Sequence, residues 1–301
     1  WAMPAIARRE SLDLYHSPYY VMPYALPCPS LVTIHDLIPQ ILPQSLPRPF
    51  LAPVFMMLVG RGLGRSVFVI ADSEATRRDL LRLTKASAAR IRTIPLAADA
   101  AFRPILGASE ACQQCGLDKP FVFYLGTNKP HKNLVRLIYA WHKLPGQIRA
   151  DHYLVLAGHE DLRYPQVRQA VQTLALSQEV RFIGAVASQD IPMLYSGARA
   201  FVFPSLYEGF GLPVLEAMSC GTPVACANSS SLPQIVGDSA IMFDPLDSDD
   251  MCSALLRMLG DGELRATLAR KGLARAKCFS WRETARQTLE VYRATIAARG
   301  D

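Results

Sequence analysis

The sequence contains no apolar run of the roughly 20 residues that a membrane-spanning helix requires, so none of its segments is expected to cross a bilayer. It also lacks a tract polar enough to suggest disorder, because 50% of its 301 residues are hydrophobic and 19% are charged. A globular chain of this length can form two domains of ordinary size, each with its own core.

Runs of like charge are absent too. The formal net charge is +6, but the lysines and arginines are scattered along the chain. A dense basic stripe is typical of nucleic-acid-binding proteins, whereas a scattered positive excess favours anionic small molecules or a membrane surface. We therefore expect no nucleic-acid partner, and a peripheral membrane contact remains open.

The cysteines form no framework for disulfides or zinc. There are seven, irregularly spaced, and Cys112-Gln-Gln-Cys115 is a C-x-x-C motif without a second pair. Reduced thiols in a cytoplasmic protein are the better interpretation, with any membrane contact at the inner face.

Strands and helices alternate strictly over the second half of the chain. Apolar runs predict strands at 121–125, 153–157, 180–183, 200–203, 224–227 and 240–243. Helices are expected between them at 134–143, 165–176, 190–196 and 213–220, and three more near 249–259, 263–277 and 281–298. Such alternation with short connections is typical of a doubly wound parallel sheet.

The first hundred residues show the same alternation. Strands are expected at 12–16, 30–35, 67–71 and 91–95, with helices at 50–64 and at 74–83. The helix at 50–64 is expected to pack on the sheet, although its basic residues would also suit a membrane surface.

These patterns assign the chain to the α/β class, with two Rossmann-like domains. The first covers residues 1–104, and the second covers 120–278. Residues 105–119 show no periodicity and are interpreted as a linker, and a C-terminal helix at 279–301 is expected to pack back toward the first domain.

The stretch 204–218 has the composition of an anion-binding junction between a strand and a helix. The apolar run 200–203 ends at Pro204, and a glycine-rich turn leads into a helix that carries Glu216 about one turn in. The turn contains Glu208, Gly209, Phe210, Gly211 and Leu212. Glycines let a ligand approach the backbone, and free N–H groups at a helix start favour negative charge. On spacing alone, a tight turn with two solvated glutamates is the alternative.

Two further junctions carry side chains suited to the same kind of ligand. Lys129 and Lys132 follow the strand 121–125 and place cationic groups at the mouth of a second strand–loop–helix junction. His35 and Asp36 lie at the end of the strand 30–35, at the carboxyl edge where open α/β sheets bind ligands. A solvated lysine, a capping aspartate and a hydrogen-bonded histidine are the structural alternatives.

Together these motifs resemble family 4 of the retaining glycosyltransferases, which use sugar nucleotides and have the two-domain GT-B fold. The resemblance rests on Glu208-x7-Glu216, on His35-Asp36-Leu-Ile-Pro and on Gly126-Thr-Asn-Lys-Pro-His-Lys132-Asn-Leu. It implies that Glu208 meets the donor sugar and that Glu216 holds the nucleotide ribose. It also implies that His35 lies beside the donor sugar and the acceptor.

Further roles follow from the same resemblance. Lys132 occupies the position of a lysine that grips the donor diphosphate, whereas Thr127 stands where many members have arginine, so that a hydroxyl or Lys129 would replace that contact. Gly184 matches the strand end that cradles the nucleobase. The expected catalytic residues are therefore His35, Glu208 and Lys132, and the expected donor-binding residues are Asp36, Thr127, Lys129, Gly184, Gly209, Phe210, Gly211, Leu212 and Glu216.

The reaction implied by the resemblance is transfer of a hexose, with retention, from a nucleoside diphosphate to an acceptor hydroxyl in a cleft between the two domains. The family's route has the leaving phosphate take the acceptor's proton, and it needs no metal if Lys132 and the amides at 211–215 stabilise the leaving group. The motifs are also similar to those of bacterial mannosyltransferases of surface-polysaccharide assembly. This favours GDP-mannose as the donor and a saccharide or lipid-linked acceptor, while UDP-glucose or a related donor stays open.

Two other classes of protein have to be weighed. A phosphosugar isomerase with the same fold would need carboxylates poised for proton chemistry, which the spacing of Glu208 and Glu216 disfavours. A non-catalytic fragment that binds a sugar nucleotide stays open, because the chain begins at Trp1, shortly before the Tyr-His-Ser-Pro segment at 15–18. A full family member begins with a further strand, a glycine-bearing loop and a helix, so we expect the first domain to be incomplete and the chain to be N-terminally truncated.

Overall fold

A computed structural model describes residues 2–23, 25–45 and 48–298. Its strands are β1 (Tyr15–Ser17), β2 (Ser30–Ile34), β3 (Phe68–Ala71), β4 (Ile91–Thr93), β5 (Phe121–Leu125), β6 (Tyr153–Ala157), β7 (Val180–Gly184), β8 (Ala200–Phe203), β9 (Val224–Ala227) and β10 (Ala240–Phe243). Its helices are α1 (Ala2–Arg9), α2 (Ile38–Ile41), α3 (Ala52–Arg65), α4 (Glu74–Leu83), α5 (Ala108–Gln114), α6 (Leu134–His142), α7 (Gly146–Ala150), α8 (Gln166–Thr173), α9 (Ile191–Gly197), α10 (Leu212–Ser219), α11 (Leu232–Val236), α12 (Ser248–Gly260), α13 (Gly262–Ala276) and α14 (Trp281–Ala297). Short 3-10 turns lie at Pro43–Ser45, Pro49–Leu51, Ala88–Arg90 and Pro130–Lys132.

The chain divides into two compact units. One unit contains the residues up to Ala97 together with those from Ser280 onward, and the other runs from Ala98 to Phe279. Each unit has its own parallel sheet with flanking helices, which confirms the predicted α/β class. No helix in the described part of the chain is long and apolar enough to cross a membrane.

The sheet of the first unit has four parallel strands in the order β1-β2-β3-β4. All five residues of β2 are buried, so side chains of alternating direction enter two different cores. Val32 packs with Val59 of helix α3 on one face. Leu31 packs with Val291 of helix α14 on the other. Helices therefore cover both faces, which explains why this strand is apolar throughout.

The sheet of the second unit has six parallel strands in the order β7-β6-β5-β8-β9-β10. The chain begins in the middle at β5, builds outward to β7, and then returns to place β8 on the other side of β5. The four inner strands are almost wholly buried, whereas the edge strands β7 and β10 are partly exposed. The reversal of strand order leaves a crevice between the ends of β5 and β8.

Short elements are where the structure departs from the sequence-based expectation. Helix α5 lies within 105–119, which showed no periodicity, and its buried face consists of Ala108 and Cys112. It packs closely on helix α9, where a Cβ on Gly197 would come within 2.7 Å of Cys112 Sγ. Helices α1, α2, α7 and α11 were not predicted either, because segments of four to eight residues display too few turns for an apolar period to appear.

Candidate functional site

The carboxyl ends of β5 and β8 bring two distant loops together at the point where the strand order reverses. The two strands are hydrogen-bonded neighbours, with Val122 opposite Ala200 and Phe123 opposite Phe201. Residues 126–133 follow β5 and residues 204–211 follow β8. In doubly wound sheets, ligands bind in the crevice outside these strand ends.

Asn133 ties the two loops to each other. It has a left-handed backbone with φ of +61°, which ends the Pro130–Lys132 turn and begins helix α6. Its buried side-chain amide donates to the carbonyl oxygens of Pro204, at 3.0 Å, and Pro245, at 2.8 Å. Leu206 N–H also donates to the carbonyl of His131, at 2.8 Å. The acceptors of these bonds are backbone carbonyl oxygens, so the bonds hold the backbone of the loops in place.

Lys132 and Glu208, two of the three predicted catalytic residues, meet in this crevice. Lys132 Nζ lies 2.7 Å from Glu208 Oε1, and their side chains are only 16% and 11% exposed. The ammonium group also lies 5.3 Å from the centre of the Phe203 ring. The structure therefore holds a desolvated ion pair at the switch point, with a cation and a carboxylate that a polar anionic ligand could engage.

The loop after β8 is fixed by serines from the segment that follows β9. Ser230 Oγ accepts a hydrogen bond from Glu208 N–H at 2.9 Å, and Ser231 Oγ donates to the carbonyl oxygens of Glu208 and Phe210. Phe210 is buried and packs edge-to-face against Phe279. The loop is thus held in place before any ligand binds.

Gly211 connects this loop to helix α10. Its φ of +119° disfavours any side chain, and a Cβ at this position would come within 2.7 Å of Leu232 Cδ2. The helix it opens is eight residues long and begins at Leu212, with its first N–H groups at the crevice edge of the sheet. Partial positive charge at this helix start is suited to a phosphate.

Glu216 faces a different neighbour. It is half-buried in the second turn of helix α10, where its Oε2 accepts a hydrogen bond from the hydroxyl of Tyr195, at 3.0 Å. Burial raises the pKa of Glu216, and the bond from Tyr195 partly offsets that increase. The carboxyl group is therefore positioned by helix α9, and its predicted contact with a ribose stays a prediction.

Three glycines mark the carboxyl ends of β5, β6 and β7. Gly126 N–H donates to the carbonyl of Ala157, and Gly158 N–H donates to the carbonyl of Gly184. Gly158 has φ of +122°, and a Cβ there would lie 2.1 Å from the carbonyl oxygen of Gly126. These residues line a small cavity that includes the predicted nucleobase position, Gly184.

The other predicted donor-binding residues of the loop after β5 have backbone roles in the structure. The carbonyl of Thr127 accepts a hydrogen bond from the Tyr124 hydroxyl at 2.9 Å, and the carbonyl of Lys129 accepts from Lys132 N–H at 2.9 Å. Both residues are partly exposed, so their side chains can meet a ligand.

His35 and Asp36 lie in the first unit, at the carboxyl end of β2. His35 Nδ1 lies 2.6 Å from Asp72 Oδ2, and its Nε2 lies 2.9 Å from the carbonyl oxygen of Pro18. Asp36 Oδ1 accepts from Ile38 N–H at 2.9 Å, as a residue that caps a turn does. The bond to Asp72 raises the pKa of His35, with a smaller contribution from Asp36.

Two polar residues near the crevice were missed from the sequence. His131 is buried beside Lys132, and burial together with that lysine lowers the pKa of His131 to about 4. Asn128 donates to the carbonyls of Asp161 and Tyr164 and accepts from Asp161 N–H, so it organises the loop after β6. Neither role has a local sequence signal, because the burial of His131 and the hydrogen-bond partners of Asn128 arise only in the folded chain.

The described residues contain no group of three or more histidines, cysteines, aspartates or glutamates that could hold a metal ion. Asp247-Ser248-Asp249 is an Asp-x-Asp pattern, but Asp247 Oδ1 accepts from the N–H groups of Asp249 and Asp250 and caps helix α12. Asp249 also pairs with Lys143 at 2.7 Å. This pattern is accounted for by the helix start.

Comparison with known proteins finds matches along both units. A family model described as Glycosyl transferases group 1 matches residues 113–275. A second model, described as Glycosyltransferase Family 4, matches residues 1–102.

Two of the similar curated proteins are mannosyltransferases by name. O-antigen chain mannosyltransferase B of Escherichia coli is 35% identical over 293 residues, covering 96% of this chain and 76% of that protein. Serotype-specific mannosyltransferase WbdA of Escherichia coli is 29% identical over 272 residues, covering 88% of this chain. This chain spans only 33% of the length of that second protein.

Solved structures share the fold. Sucrose-phosphate synthase of Thermosynechococcus elongatus superposes with a TM-score of 0.84 at 26% identity, covering 98% of this chain and 76% of that one. Anabaena HepE in complex with UDP and glucose gives a TM-score of 0.82 at 23% identity, covering 96% of this chain and 80% of that one. The two parallel sheets with their flanking helices therefore match the predicted GT-B fold.

Proposed function

The chain belongs to the glycosyl transferases group 1 family, and we propose that it transfers mannose from GDP-mannose to a saccharide or lipid-linked acceptor. We propose further that the anomeric configuration of the sugar is retained. The proposed donor site is supported by the poorly exposed ion pair of Lys132 and Glu208 at the switch point of the second sheet. Mannose is supported by the 35% identity to an O-antigen chain mannosyltransferase over 96% of this chain.

Lys132 is the residue that we assign to the leaving group. Without a ligand, its charge is balanced by Glu208 at 2.7 Å. A diphosphate entering the crevice would compete for the ammonium group and bring two negative charges to it. Glu208 would then be free to accept hydrogen bonds from hydroxyls of the donor sugar, while its backbone stays fixed by the bond from its N–H to Ser230 Oγ.

The N–H groups in the first turn of helix α10 would bind the leaving diphosphate together with Lys132. Its N–H groups begin at Leu212, after a glycine whose backbone geometry is already set. Fixed donors of this kind stabilise charge that grows in the transition state without having to reorganise at that moment. Together with the ammonium group they supply the positive charge that a metal provides in other transferases, so we propose a reaction without a resident metal.

The acceptor's proton has to leave with the new bond. In the proposed route the acceptor hydroxyl attacks the anomeric carbon from the face that the diphosphate is leaving, and a phosphate oxygen takes the proton. The carbon–oxygen bond to the phosphate breaks as the bond to the acceptor forms, so the products are the glycoside and protonated GDP. The protein then works mainly by stabilising the diphosphate.

The other donor-binding assignments are part of the proposal. Glu216 would accept from the ribose hydroxyls through the carboxylate oxygen that Tyr195 leaves open, and Gly184 would border the base. Asp36, Thr127 and Lys129 would complete the donor contacts. His35 would lie beside the sugar and the acceptor.

Calorimetric titration with GDP-mannose, GDP, UDP-glucose and UDP tests the donor. We expect the two guanosine compounds to bind more tightly than the two uridine compounds. Tighter binding of UDP-glucose would replace mannose in the proposal with a UDP sugar. Binding of one sugar nucleotide with no release of GDP or UDP in the presence of saccharide acceptors would favour a binding protein over a transferase.

A further inference from the structure

Both ring nitrogens of His35 face atoms that can only accept a hydrogen bond. Nδ1 lies 2.6 Å from a carboxylate oxygen of Asp72, and Nε2 lies 2.9 Å from the carbonyl oxygen of Pro18. An ionised carboxylate has no proton to give, and a backbone carbonyl never has one. With Asp72 ionised, each contact therefore needs a proton on the ring nitrogen if it is to be a hydrogen bond.

A neutral imidazole carries one N–H and cannot make both bonds while Asp72 is ionised. With a single ring proton, one of the two contacts would place two lone pairs against each other at hydrogen-bond distance. Two arrangements avoid this: an imidazolium beside an ionised Asp72, or a neutral ring beside a protonated Asp72. In both of them Nε2 carries a proton and neither nitrogen is free to accept one.

The imidazolium is favoured by the ordinary basicities of the two groups and by their exposure. The pKa of a histidine is normally about 6.5 and that of an aspartate about 3.9, so the shared proton rests on the ring. The His35 side chain is 42% exposed, which leaves water to solvate its charge, whereas that of Asp72 is 3% exposed. Asp72 Oδ1 is buried and has no hydrogen-bond partner among the described residues, so His35 is the group that balances its charge.

We propose that Asp72 is a positioning residue that holds His35 doubly protonated at neutral pH, so that His35 contributes a fixed positive charge to its site and does not act as a general base. The protonation state of His35 is inferred only from contacts within the first unit. Its catalytic consequence rests on the proposed function, in which the leaving phosphate takes the proton. A fixed cation suits a ligand that carries phosphate, whereas a free imidazole would compete with phosphate for the acceptor's proton.

The other groups around the ring are consistent with this charge. Asp36 is the second carboxylate that raises the pKa of His35, while burial acts in the opposite direction. His16 is the neighbouring titratable group on β1, and burial together with the charge of His35 lowers its pKa. His16 binds the hydroxyls of Tyr292 and Thr33, which can donate or accept, so it needs no second proton.

The backbone of His35 is held as firmly as its ring. The Thr76 hydroxyl, in the first turn of helix α4, donates to the His35 carbonyl at 3.0 Å. Ser73 caps the same helix by accepting from Thr76 N–H at 3.1 Å. Asp72 immediately precedes this cap, so the end of β3 and the start of α4 together fix the carboxylate against the ring.

Nitrogen-15 NMR of the histidine rings tests the protonation state directly. The chain has six histidines, and the signals of His35 are identified by their loss in His35→Gln. At pH 7.5 we expect directly bonded protons on both ring nitrogens of His35. A singly protonated ring at that pH would overturn the inference, and so would a ring that stays neutral when the pH is lowered to 6.

Asp72→Asn tests the cause. An adjacent opposite charge typically moves a pKa by about 1–3 units, so we expect the midpoint of the His35 titration to fall by at least about 1 unit. Asp36→Asn is the matched control, because it removes a nearby carboxylate whose Oδ1 accepts from Ile38 N–H and whose contribution to the pKa of His35 is smaller, so its effect should be clearly smaller. If both substitutions lower the midpoint of the His35 titration equally, the protonation of His35 depends on the summed nearby negative charge and not on contact with Asp72.

The pH profile of transfer separates a positioning role from a merely structural one. In Asp72→Asn the rate should fall as pH rises through the lowered titration midpoint of His35, while the wild type stays level over that interval. An Asp72→Asn profile parallel to that of the wild type would remove the catalytic consequence.

The NMR measurements test the protonation state of His35, and the transfer measurements test the proposed function, so the two can fail separately. If the protein transfers no sugar at all, the proposed function fails, but the ring nitrogens still report the state of His35. If Asp72→Asn does not fold, which circular dichroism would show, the wild-type spectra and Asp72→Glu decide. Asp72→Glu retains the charge and should keep His35 doubly protonated at pH 7.5, and a neutral ring in that folded variant would count against the inference.

Discussion

Lys132 Nζ and Glu208 Oε1 are 2.7 Å apart although 75 residues separate them in the sequence. Their loops follow β5 and β8, which are neighbours in the sheet because the chain returns to its centre after building β6 and β7. A cation and a carboxylate from the two sides of a switch point thus balance each other's charge. The pair and the residues near it lead to predictions about rate, stability, ribose recognition and pH dependence.

The first concerns the leaving group. A lysine about 4 Å from a unit charge, at an effective dielectric near 20, interacts with it by about 4 kcal/mol. Only the increase between bound donor and transition state accelerates the reaction, so Lys132→Ala should lose about 2–3 kcal/mol, or roughly 30- to 150-fold in kcat. Lys132→Arg should recover part of the rate, since a planar fork replaces a compact ammonium poorly. Steady-state kinetics in which only KM rises would pass the leaving-group role to Lys129.

The second concerns stability. Removing one partner of a poorly exposed ion pair leaves the other charge without compensation, and at 11–16% exposure we expect Lys132→Ala to lower the free energy of unfolding by about 1–3 kcal/mol. Adding Glu208→Gln should restore most of that loss, because the orphaned charge is gone. Urea denaturation of the single and double variants measures both values. Additive losses in the double variant would mean that the two side chains are not coupled.

The third concerns ribose recognition. If Glu216 accepts from both ribose hydroxyls, Glu216→Gln should weaken GDP binding by about 1.5–3 kcal/mol. Tyr195→Phe is the matched control, because it removes the hydroxyl that donates to Glu216 and leaves the carboxylate in place. Calorimetry on both variants separates the two effects. Unchanged GDP and UDP affinity in Glu216→Gln would remove Glu216 from the site.

The fourth concerns pH. The pKa of His131 falls to about 4 in the folded protein, against about 6.5 when it is unfolded. The unfolded chain therefore binds the proton first, so the stability that neutral His131 provides is complete above pH 6.5 and declines as pH falls toward 4. We expect about 2–3 kcal/mol of this decline to disappear in His131→Gln.

Urea denaturation at pH 7 and pH 4.5 measures that difference. His152→Gln is the comparison variant, because burial also lowers the pKa of His152, but its Nδ1–H donates to the carbonyl of Ile148 at 2.8 Å. Identical acid sensitivity in wild type and His131→Gln would show that another group is responsible.

The strands could be predicted because burial on both faces makes them continuously apolar. Five of the six strands in the second unit have the predicted bounds, and β7 extends one residue further, to Gly184. In the first unit β1 begins at Tyr15 and not at residue 12, because only Tyr15–Ser17 pair with β2. The short helices carry no period long enough to detect, and α5 is visible only through its packing on α9.

The sequence predicts residues for the candidate site, but it does not predict the contacts between them. The spacing of Glu208 and Glu216 and the position of Lys132 point to an anionic ligand, yet nothing in either loop indicates that Lys132 and Glu208 form an ion pair. The same holds for His35, whose partner Asp72 follows β3, a neighbouring strand of the first sheet. Both contacts arise from the pairing of strands that are distant in sequence, a property of topology that local patterns do not contain.

The most direct test of the donor site is the affinity of GDP for the wild type and for Lys132→Ala, measured by calorimetry in one buffer. Loss of a charge-assisted contact of about 1.5–3 kcal/mol should weaken binding roughly 10- to 150-fold. Lys143→Ala is the control, because Lys143 also pairs with a carboxylate, that of Asp249, and lies at the end of helix α6 away from the predicted donor contacts. We expect Lys143→Ala to bind GDP like the wild type, and equal GDP affinity in wild type and Lys132→Ala would contradict a donor diphosphate at the Lys132–Glu208 pair.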